Sequence, residues 1–278
     1  MEPADFANRT AVVTGAGSGL GAALAKAFAG AGARVALADL DLGNAEKVAA
    51  ELRAGGATAQ AFRVDAGDEA SVRALAKETA AALGPCSVVC ANVGVLQMGR
   101  LDERTRAELE WVLGVNVVGA LETARAYLPQ LREDPQHARI LFTCSTSSLY
   151  AAQHLGIYTA SKYALLGLAE TLALELAPEG IGVTSLLPGP MATTHMASSG
   201  VAKPGGLAAG VGTEADIAAV SAGSDAENNE VITADHAVRN VLRDLAAGER
   251  YVFTHVAQRE PVEARFAEIL AAYERARD

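Results

Sequence analysis

The chain has 278 residues, half of them hydrophobic and one in five charged, which suits one large α/β domain or two small ones and a sizeable core. Its formal net charge of -10 leaves no basic stripe to neutralise phosphates and argues against nucleic acid as a partner. Cys86, Cys90 and Cys144 stand in apolar surroundings without framework or zinc-ligand spacing, so they read as reduced thiols of a cytoplasmic protein, and no metal site is expected.

Met1 to Asp5 is acidic and polar, unlike a signal peptide, and no apolar run in the chain approaches the length of a membrane span. Thr10 to Thr14 is a short β-branched run, followed by a glycine-rich turn and an alanine-rich helical stretch from Leu20 to Ala29. Further strands are expected at Arg34–Ala38, Ala59–Val64 and Ser87–Ala91, separated by helices at Asn44–Arg53 and Ser71–Leu83. Gly55-Gly56 and Gly84-Pro85 end those two helices. Two helices, Arg104–Val115 and Val117–Leu131, precede a strand at Arg139–Cys144. A long helix, Tyr158–Ala177, precedes a strand at Ile181–Leu187. The texture then changes: residues 192–230 are rich in Gly, Ala and Ser with weak periodicity, the pattern of a substrate lid or of a disordered insert. Helical character returns at Ala234–Ala246, with a last strand at Tyr251–Thr254 and a last helix at Val262–Arg277. Strands alternating with helices at this spacing mean βαβ crossovers and a parallel sheet, here within a single domain spanning 1–278.

Thr14-Gly15-Ala16-Gly17-Ser18-Gly19-Leu20-Gly21 lies between a strand and a helix. Glycines there let the backbone turn sharply and approach a pyrophosphate, while the helix N-terminus offers unpaired N–H groups and a positive dipole end. The fingerprint G-x-G-x-x-G/A is also met one frame along by Gly17, Gly19 and Ala22; the frame from Thr14-Gly15 begins where the strand ends. Asp39, ending the second strand, stands where a ribose-binding acid is expected. Its charge would repel a 2′-phosphate, and Leu40, Asp41 and Ser18 offer no cation to welcome one, so NAD is expected over NADP. Asp65, followed by Ala66, could hold the adenine edge or cap a helix.

Tyr158 and Lys162 are four apart on one helical face. An ammonium near a phenol favours the phenolate, so the Tyr158 pKa is expected to fall from ~10 toward working pH, suiting a general acid or base.

With these features the chain resembles the short-chain dehydrogenase/reductase family, in its short single-domain branch, from about Thr10 to Thr193. Thr14, Gly15, Gly19 and Gly21 match the family loop T-G-x-x-x-G-x-G. Ala91-Asn92-Val93-Gly94 stands where the family has N-N-A-G, lacking the first asparagine. Asn116 matches the family's helix-kinking asparagine, and Ser145, 13 residues before Tyr158, its catalytic serine, with Thr143, Thr146, Ser147 and Ser148 as neighbouring candidates. Pro188-Gly189, with Met191 and Thr193 after it, matches the segment holding the nicotinamide carboxamide and pyrophosphate. The resemblance implies a Rossmann-like doubly wound parallel sheet of seven strands with helices on both faces, and a homotetramer or dimer built on the two long helices. It implies further that Tyr158 exchanges the alcohol proton, that Lys162 lowers its pKa and holds the ribose, and that Ser145 bonds the substrate oxygen. Asn116 would hold a water that connects Lys162 to solvent.

Tyr150, Gln153, His154 and Leu155, with Leu96, Gln97 and Met98, are expected around the substrate, and Met191, His195 and Met196 at the entrance to the lid. This mix suggests a largely apolar secondary alcohol or ketone with one or two polar anchors, among which His154 and His195 are candidates. His137, His236 and His255 look structural. By analogy, the C-terminal segment suggests an aromatic or steroid-like substrate. A nucleotide-binding regulator without turnover is the alternative, opposed by the presence of Asn116, Ser145, Tyr158 and Lys162. An epimerase or dehydratase of sugar nucleotides is opposed by the loop spacing and by the lack of a large C-terminal substrate domain.

Overall fold

The computed structural model describes residues 6–207, 210–222 and 231–276. Apolar, β-branched runs with little alternation form the central strands, which are buried on both faces as a parallel sheet between two helical layers requires, while the two edge strands leave alternate residues exposed. The strands are β1 (Thr10–Thr14), β2 (Arg34–Asp39), β3 (Ala59–Arg63), β4 (Cys86–Ala91), β5 (Arg139–Thr143) and β6 (Gly182–Leu187). A short pair follows, β7 (Met191–Ala192) and β8 (Ile232–Thr233), and then β9 (Tyr251–Phe253). Seven of them form one sheet in the order β3-β2-β1-β4-β5-β6-β9, every neighbour parallel. The chain runs outward from β1 to β3, then returns to add β4 on the other side of β1. A crevice therefore opens at the C-terminal ends of β1 and β4, the switch point at which ligands bind in such sheets.

On one face pack α1 (Gly19–Gly30), α2 (Leu42–Ala54), α9 (Ala234–Val238) and α10 (Val241–Ala247), through Leu24, Phe28, Val48, Val241 and Leu245. On the other pack α3 (Glu69–Leu83), α5 (Ala120–Leu131) and α6 (Gly156–Leu176), through Leu75, Tyr127, Leu131 and Leu165. The helix starts carry the expected chemistry. The Asp41 side chain caps α2 at the Asn44 N–H, Asp68 caps α3 at the Ala70 N–H, and Thr105 and Glu108 form a capping box on α4 (Arg106–Leu113).

Three expectations are revised. The two helices on either side of Asn116 are one continuous rod, with a π-helical turn at Gly114–Gly119 joining α4 to α5. Gly119 lies under the Ala66 carbonyl oxygen so closely that a methyl group would overlap it. The Ala234–Ala246 helix is broken into α9 and α10 at Asn240, and Thr233 caps the first piece at the His236 N–H. Residues 192–230 are not irregular throughout: they contain α7 (His195–Ala202) and α8 (Glu214–Ala222), while 208–209 and 223–230 lie outside the described residues. The Leu96 N–H donates to Ser199 Oγ at 3.0 Å and the Met98 N–H to the Val211 carbonyl at 2.7 Å, which ties this segment to the loop after β4. Buried Lys203 donates to Gln97 Oε1 and to the Gly210 carbonyl, and pairs with Glu108. The last helix, α11 (Arg259–Arg275), has no buried residue. Among the described helices none is long and apolar enough to cross a membrane.

Gly119→Ala should lower stability by about 1–3 kcal/mol, because the added methyl cannot fit against Ala66 without backbone movement. Gly114→Ala, where a methyl meets nothing within 4 Å, should be neutral or stabilising. Chemical denaturation midpoints check this, and a Gly119→Ala midpoint at or above wild type would contradict it.

Candidate active site

A cleft of about 1960 Å³ lies over the C-terminal ends of the central strands. One wall is the glycine loop. Gly15 (φ 67) and Gly19 (φ 51) occupy left-handed backbone that favours glycine, and at Gly21 any side chain would collide with the Gly15 carbonyl. These are the positions of the frame that starts at Thr14-Gly15. Ser18 starts α1 without a side-chain cap, which leaves the helix end as an anion site facing the cleft. Asp39 Oδ2 accepts the Gly17 N–H at 2.8 Å and its Oδ1 the Asp41 N–H at 2.9 Å, so the acid at the end of β2 is fixed against the loop. Leu40, Asp65 and Ala66 line the same end of the cleft, where Asp65 Oδ1 accepts the Gly67 N–H at 2.9 Å. Pro188, Gly189, Met191 and Thr193 line the opposite side. Left-handed glycines, the free N–H groups of an uncapped helix end and a strand-end carboxylate that accepts are a set of groups that fits a dinucleotide.

The loop after β4 joins this cradle to the catalytic cluster. The Asn92 carboxamide donates to the Thr14 carbonyl at 2.9 Å and accepts from Thr143 Oγ1 at 2.9 Å, linking the ends of β1, β4 and β5. That single asparagine makes these contacts although Ala91 stands where the family pattern has another. Gly94 lies against two more site residues: a methyl there would be 3.3 Å from Lys162 Nζ and 3.5 Å from Asn116 Oδ1. Asn116 is buried in the π turn. Its Oδ1 accepts the Val95 N–H at 2.7 Å, and its Nδ2 donates to the Val95 carbonyl at 2.9 Å and to Ser161 Oγ at 3.0 Å. Both amide protons are thus engaged, and the side chain can meet a water only through the second lone pair of Oδ1.

Lys162 is buried, donates from Nζ to the Thr143 carbonyl at 2.7 Å, and lies 5.6 Å from the centre of the Tyr158 ring. Desolvation pulls its pKa down to about 8. Burial pushes the Tyr158 phenol up to about 12, with a hydrogen bond from Ser145 acting in the opposite direction. In the chain alone, burial outweighs the pKa lowering expected from the Tyr158–Lys162 spacing. Ser145 is the hydroxyl that reaches Tyr158, and its Oγ also accepts the Ser147 N–H at 3.1 Å. Of its neighbours, Thr143 is engaged with Asn92 and Thr146 with Tyr150.

The residues expected around the substrate separate into two sets. Leu96, Met98, Tyr150, Leu155, Met191, His195 and Met196 line the cleft. His195 packs edge-on to Tyr158, ring centres 6.1 Å apart, with Nε2 3.2 Å from the Gly94 carbonyl oxygen, and burial beside Lys162 pulls its pKa down to about 4, so its ring is neutral. Gln97, Gln153 and His154 are not among the lining residues. Gln97 is taken by Lys203. His154 is turned away in left-handed backbone (φ 61), and its Nδ1 is 2.6 Å from Asp216 Oδ1 at the start of α8.

Sequence reasoning missed two contributors. Trp111 enters the cleft from α4, and Pro261, Ala264, Arg265 and Glu268 enter from α11. The α11 residues follow i, i+3, i+4, i+7 spacing, and the opposite stripe holds exposed Phe266, Leu270 and Tyr273. That two-faced pattern was readable from the sequence, but its partner surface was not.

The family model for short chain dehydrogenases matches residues 9–204. A crystal structure of a short chain dehydrogenase/reductase from Burkholderia phymatum in complex with NAD superposes with a TM-score of 0.88 at 32% identity, covering 96% of each chain. The 1-deoxy-11-beta-hydroxypentalenate dehydrogenase of Streptomyces exfoliatus is 37% identical over 183 residues, 65% of this chain and 66% of that protein. The probable oxidoreductase EphD of Mycobacterium tuberculosis is 33% identical over 200 residues, 72% of this chain but only 34% of that protein, so the likeness spans about a third of that relative. On the strength of a family match over most of its length, and of a sheet that follows an NAD-bound member almost end to end, this chain belongs to the short-chain dehydrogenase family.

Proposed function

We propose that the protein is an NAD-dependent oxidoreductase that interconverts a largely apolar secondary alcohol and its ketone. The observation that carries this reading is the convergence of Ser145, Tyr158 and Lys162 on one side of a cleft whose other wall fits a dinucleotide. The lining around them is mostly apolar, from Met98, Trp111, Leu155, Met191 and Ile217. The relative from Streptomyces is named for a hydroxypentalenate, a precedent for an alcohol of that character.

The oxidised dinucleotide, when bound, supplies the hydride acceptor and a positive charge beside the phenol. Gly15, Gly17, Gly19, Gly21 and Ser18 would hold its pyrophosphate, and Asp39 its adenosine ribose, favouring NAD over NADP. Asn92, Gly94, Pro188, Gly189, Met191 and Thr193 would border its nicotinamide half. Ser145 would donate to the substrate oxygen and orient the carbinol. Tyr158 Oη would take the hydroxyl proton as the carbon gives up hydride, and return it in reduction. Lys162 favours the phenolate and would hold the ribose hydroxyls. Asn116 ties the π turn to Ser161, the neighbour of Lys162 in α6. His195 would contact the substrate as a neutral group. We also propose a dimer or tetramer, consistent with the exposed Val118 of the π turn and Leu174 of α6.

Tyr158→Phe should reduce turnover on apolar secondary alcohols by at least about a hundredfold while NADH binding stays near wild type. Normal turnover in that variant would refute the role of Tyr158, and no turnover of any alcohol by wild type would favour a nucleotide-binding regulator instead. Oxidation needs the phenolate and reduction the phenol, so kcat/KM for oxidation should rise with pH and that for reduction should fall. Removing the cation in Lys162→Met raises the phenol pKa, and the oxidation limb should move to higher pH by about one unit or more; a limb that stays in place would contradict the pairing. Fluorescence titration should give tighter binding of NADH than of NADPH, and the reverse order would overturn the assignment of Asp39.

A further inference from the structure

β9 completes the sheet beside β6, with Leu186 opposite Val252 and Leu187 opposite Phe253. Because the two strands are parallel, the residues leaving β9 emerge next to those leaving β6. Thr254 and His255 therefore lie behind Pro188-Gly189-Pro190. Neither proline has an N–H, so Gly189 supplies the only backbone donor of that turn. The Gly189 N–H is shared between His255 Nδ1 at 3.2 Å and Thr254 Oγ1 at 3.3 Å. On the other side of the ring, His255 Nε2 is 2.9 Å from the Pro190 carbonyl oxygen. One neutral tautomer serves both contacts: Nδ1 accepts and Nε2–H donates. Thr254 Oγ1, 2.6 Å from Nδ1, is placed to donate to that same acceptor.

The front of the turn is tied to the catalytic side. The Thr146 N–H, next to Ser145, donates to the Pro188 carbonyl at 3.0 Å. The Gln258 carboxamide packs on Gly189 where any side chain would overlap it. His255 itself is buried, 6% exposed, and is not among the residues lining the cleft, whereas Pro188, Gly189 and Pro190 are. The hydrogen bonds of His255 to cleft-lining residues run to that turn.

We propose that His255, by bridging the Gly189 N–H and the Pro190 carbonyl, is a positioning residue that sets the turn against which the nicotinamide half of the cofactor binds. This rests on the oxidoreductase reading above, in which Pro188 and Gly189 border the nicotinamide. A buried imidazole that satisfies the N–H of one residue and the carbonyl of the next holds that short turn at a fixed separation. Loss of the ring frees the Pro190 carbonyl and leaves the Gly189 N–H with Thr254 Oγ1 alone, and the turn relaxes. The glycine loop and Asp39, which would hold the adenosine half, have no hydrogen bond to His255.

The test titrates two ligands, NADH and ADP-ribose, the second lacking the nicotinamide ring, against wild type, His255→Ala, His255→Asn and Thr254→Val. Circular dichroism melts establish that each variant is folded. His255→Ala should weaken NADH about tenfold, the loss of one or two hydrogen bonds, and leave ADP-ribose within about twofold. His255→Asn, whose carboxamide oxygen can still accept from Gly189, should recover part of the NADH affinity, and Thr254→Val should show a smaller loss. Unchanged NADH affinity in His255→Ala, or equal losses for NADH and ADP-ribose, would overturn the proposal and make His255 structural only. Should His255→Ala fail to fold, the same split between the two ligands in His255→Asn and Thr254→Val decides it. Wild type binding NADH no tighter than ADP-ribose would instead count against the nicotinamide pocket itself, which separates failure of the oxidoreductase reading from failure of this one.

Discussion

Lys162 carries its ammonium into the interior of the domain, where Nζ lies 2.7 Å from the carbonyl oxygen that ends β5 and 5.6 Å from the centre of the Tyr158 ring. A cation in that place is costly, and desolvation pulls its pKa to about 8. The surroundings are built to tolerate it. Gly94 leaves room for it, Asn116 holds the Val95 backbone beside it, and Asn92 secures the strand ends on which it rests. Burial works on the neighbouring phenol in the opposite sense and lifts it to about 12. Desolvation thus brings the two groups to opposite protonation tendencies: an amine inclined to lose its proton beside a phenol inclined to keep one. Charge brought into the cleft is what can change that balance. A site of this kind is sensitive to a cationic ring in a way that an exposed Tyr/Lys pair is not.

The sheet was legible because central parallel strands buried on both faces must be nearly continuously apolar, as β1, β2, β4, β5 and β6 are, while the edge strands β3 and β9, which expose alternate residues, were read from their place in the alternation of strands and helices. Gly15, Gly19, Gly21 and Asp39 were legible because backbone geometry and charge allow few substitutes at a phosphate-binding turn. The π turn at Gly114–Gly119 was not, because it depends on a close approach between Gly119 and Ala66 that lies in neither segment alone. The direction of the Tyr158 shift was missed for a related reason. Sequence spacing reports the cation on the same helix face, but burial is a property of everything packed around it. His154 and His195 had equal standing in the sequence, yet one is committed to Asp216 and the other packs against Tyr158. Only tertiary contacts separate them.

α7, α8 and the segment after β9 take up the part of the site that the central sheet leaves open. α7 and α8 are joined to the sheet side through Ser199, Lys203, Val211 and Asp216, and each of these contacts reaches a loop next to the catalytic cluster. α11 offers Pro261, Ala264, Arg265 and Glu268 to the cleft and leaves its stripe of large apolar residues outward. The chemistry at Tyr158 is thereby separated from the surfaces that choose the substrate: strand ends carry the first, and helices with weaker sequence signatures carry the second.

On the proposed reading, a cationic nicotinamide lowers the pKa of a phenol which burial alone holds high. Ultraviolet difference titration of wild type against Tyr158→Phe isolates that phenol from the other five tyrosines among the six in the chain, with and without saturating NAD. The account predicts a Tyr158 pKa far above neutrality without NAD and a clear fall toward neutrality with it. A phenol whose titration is the same in both states would contradict it.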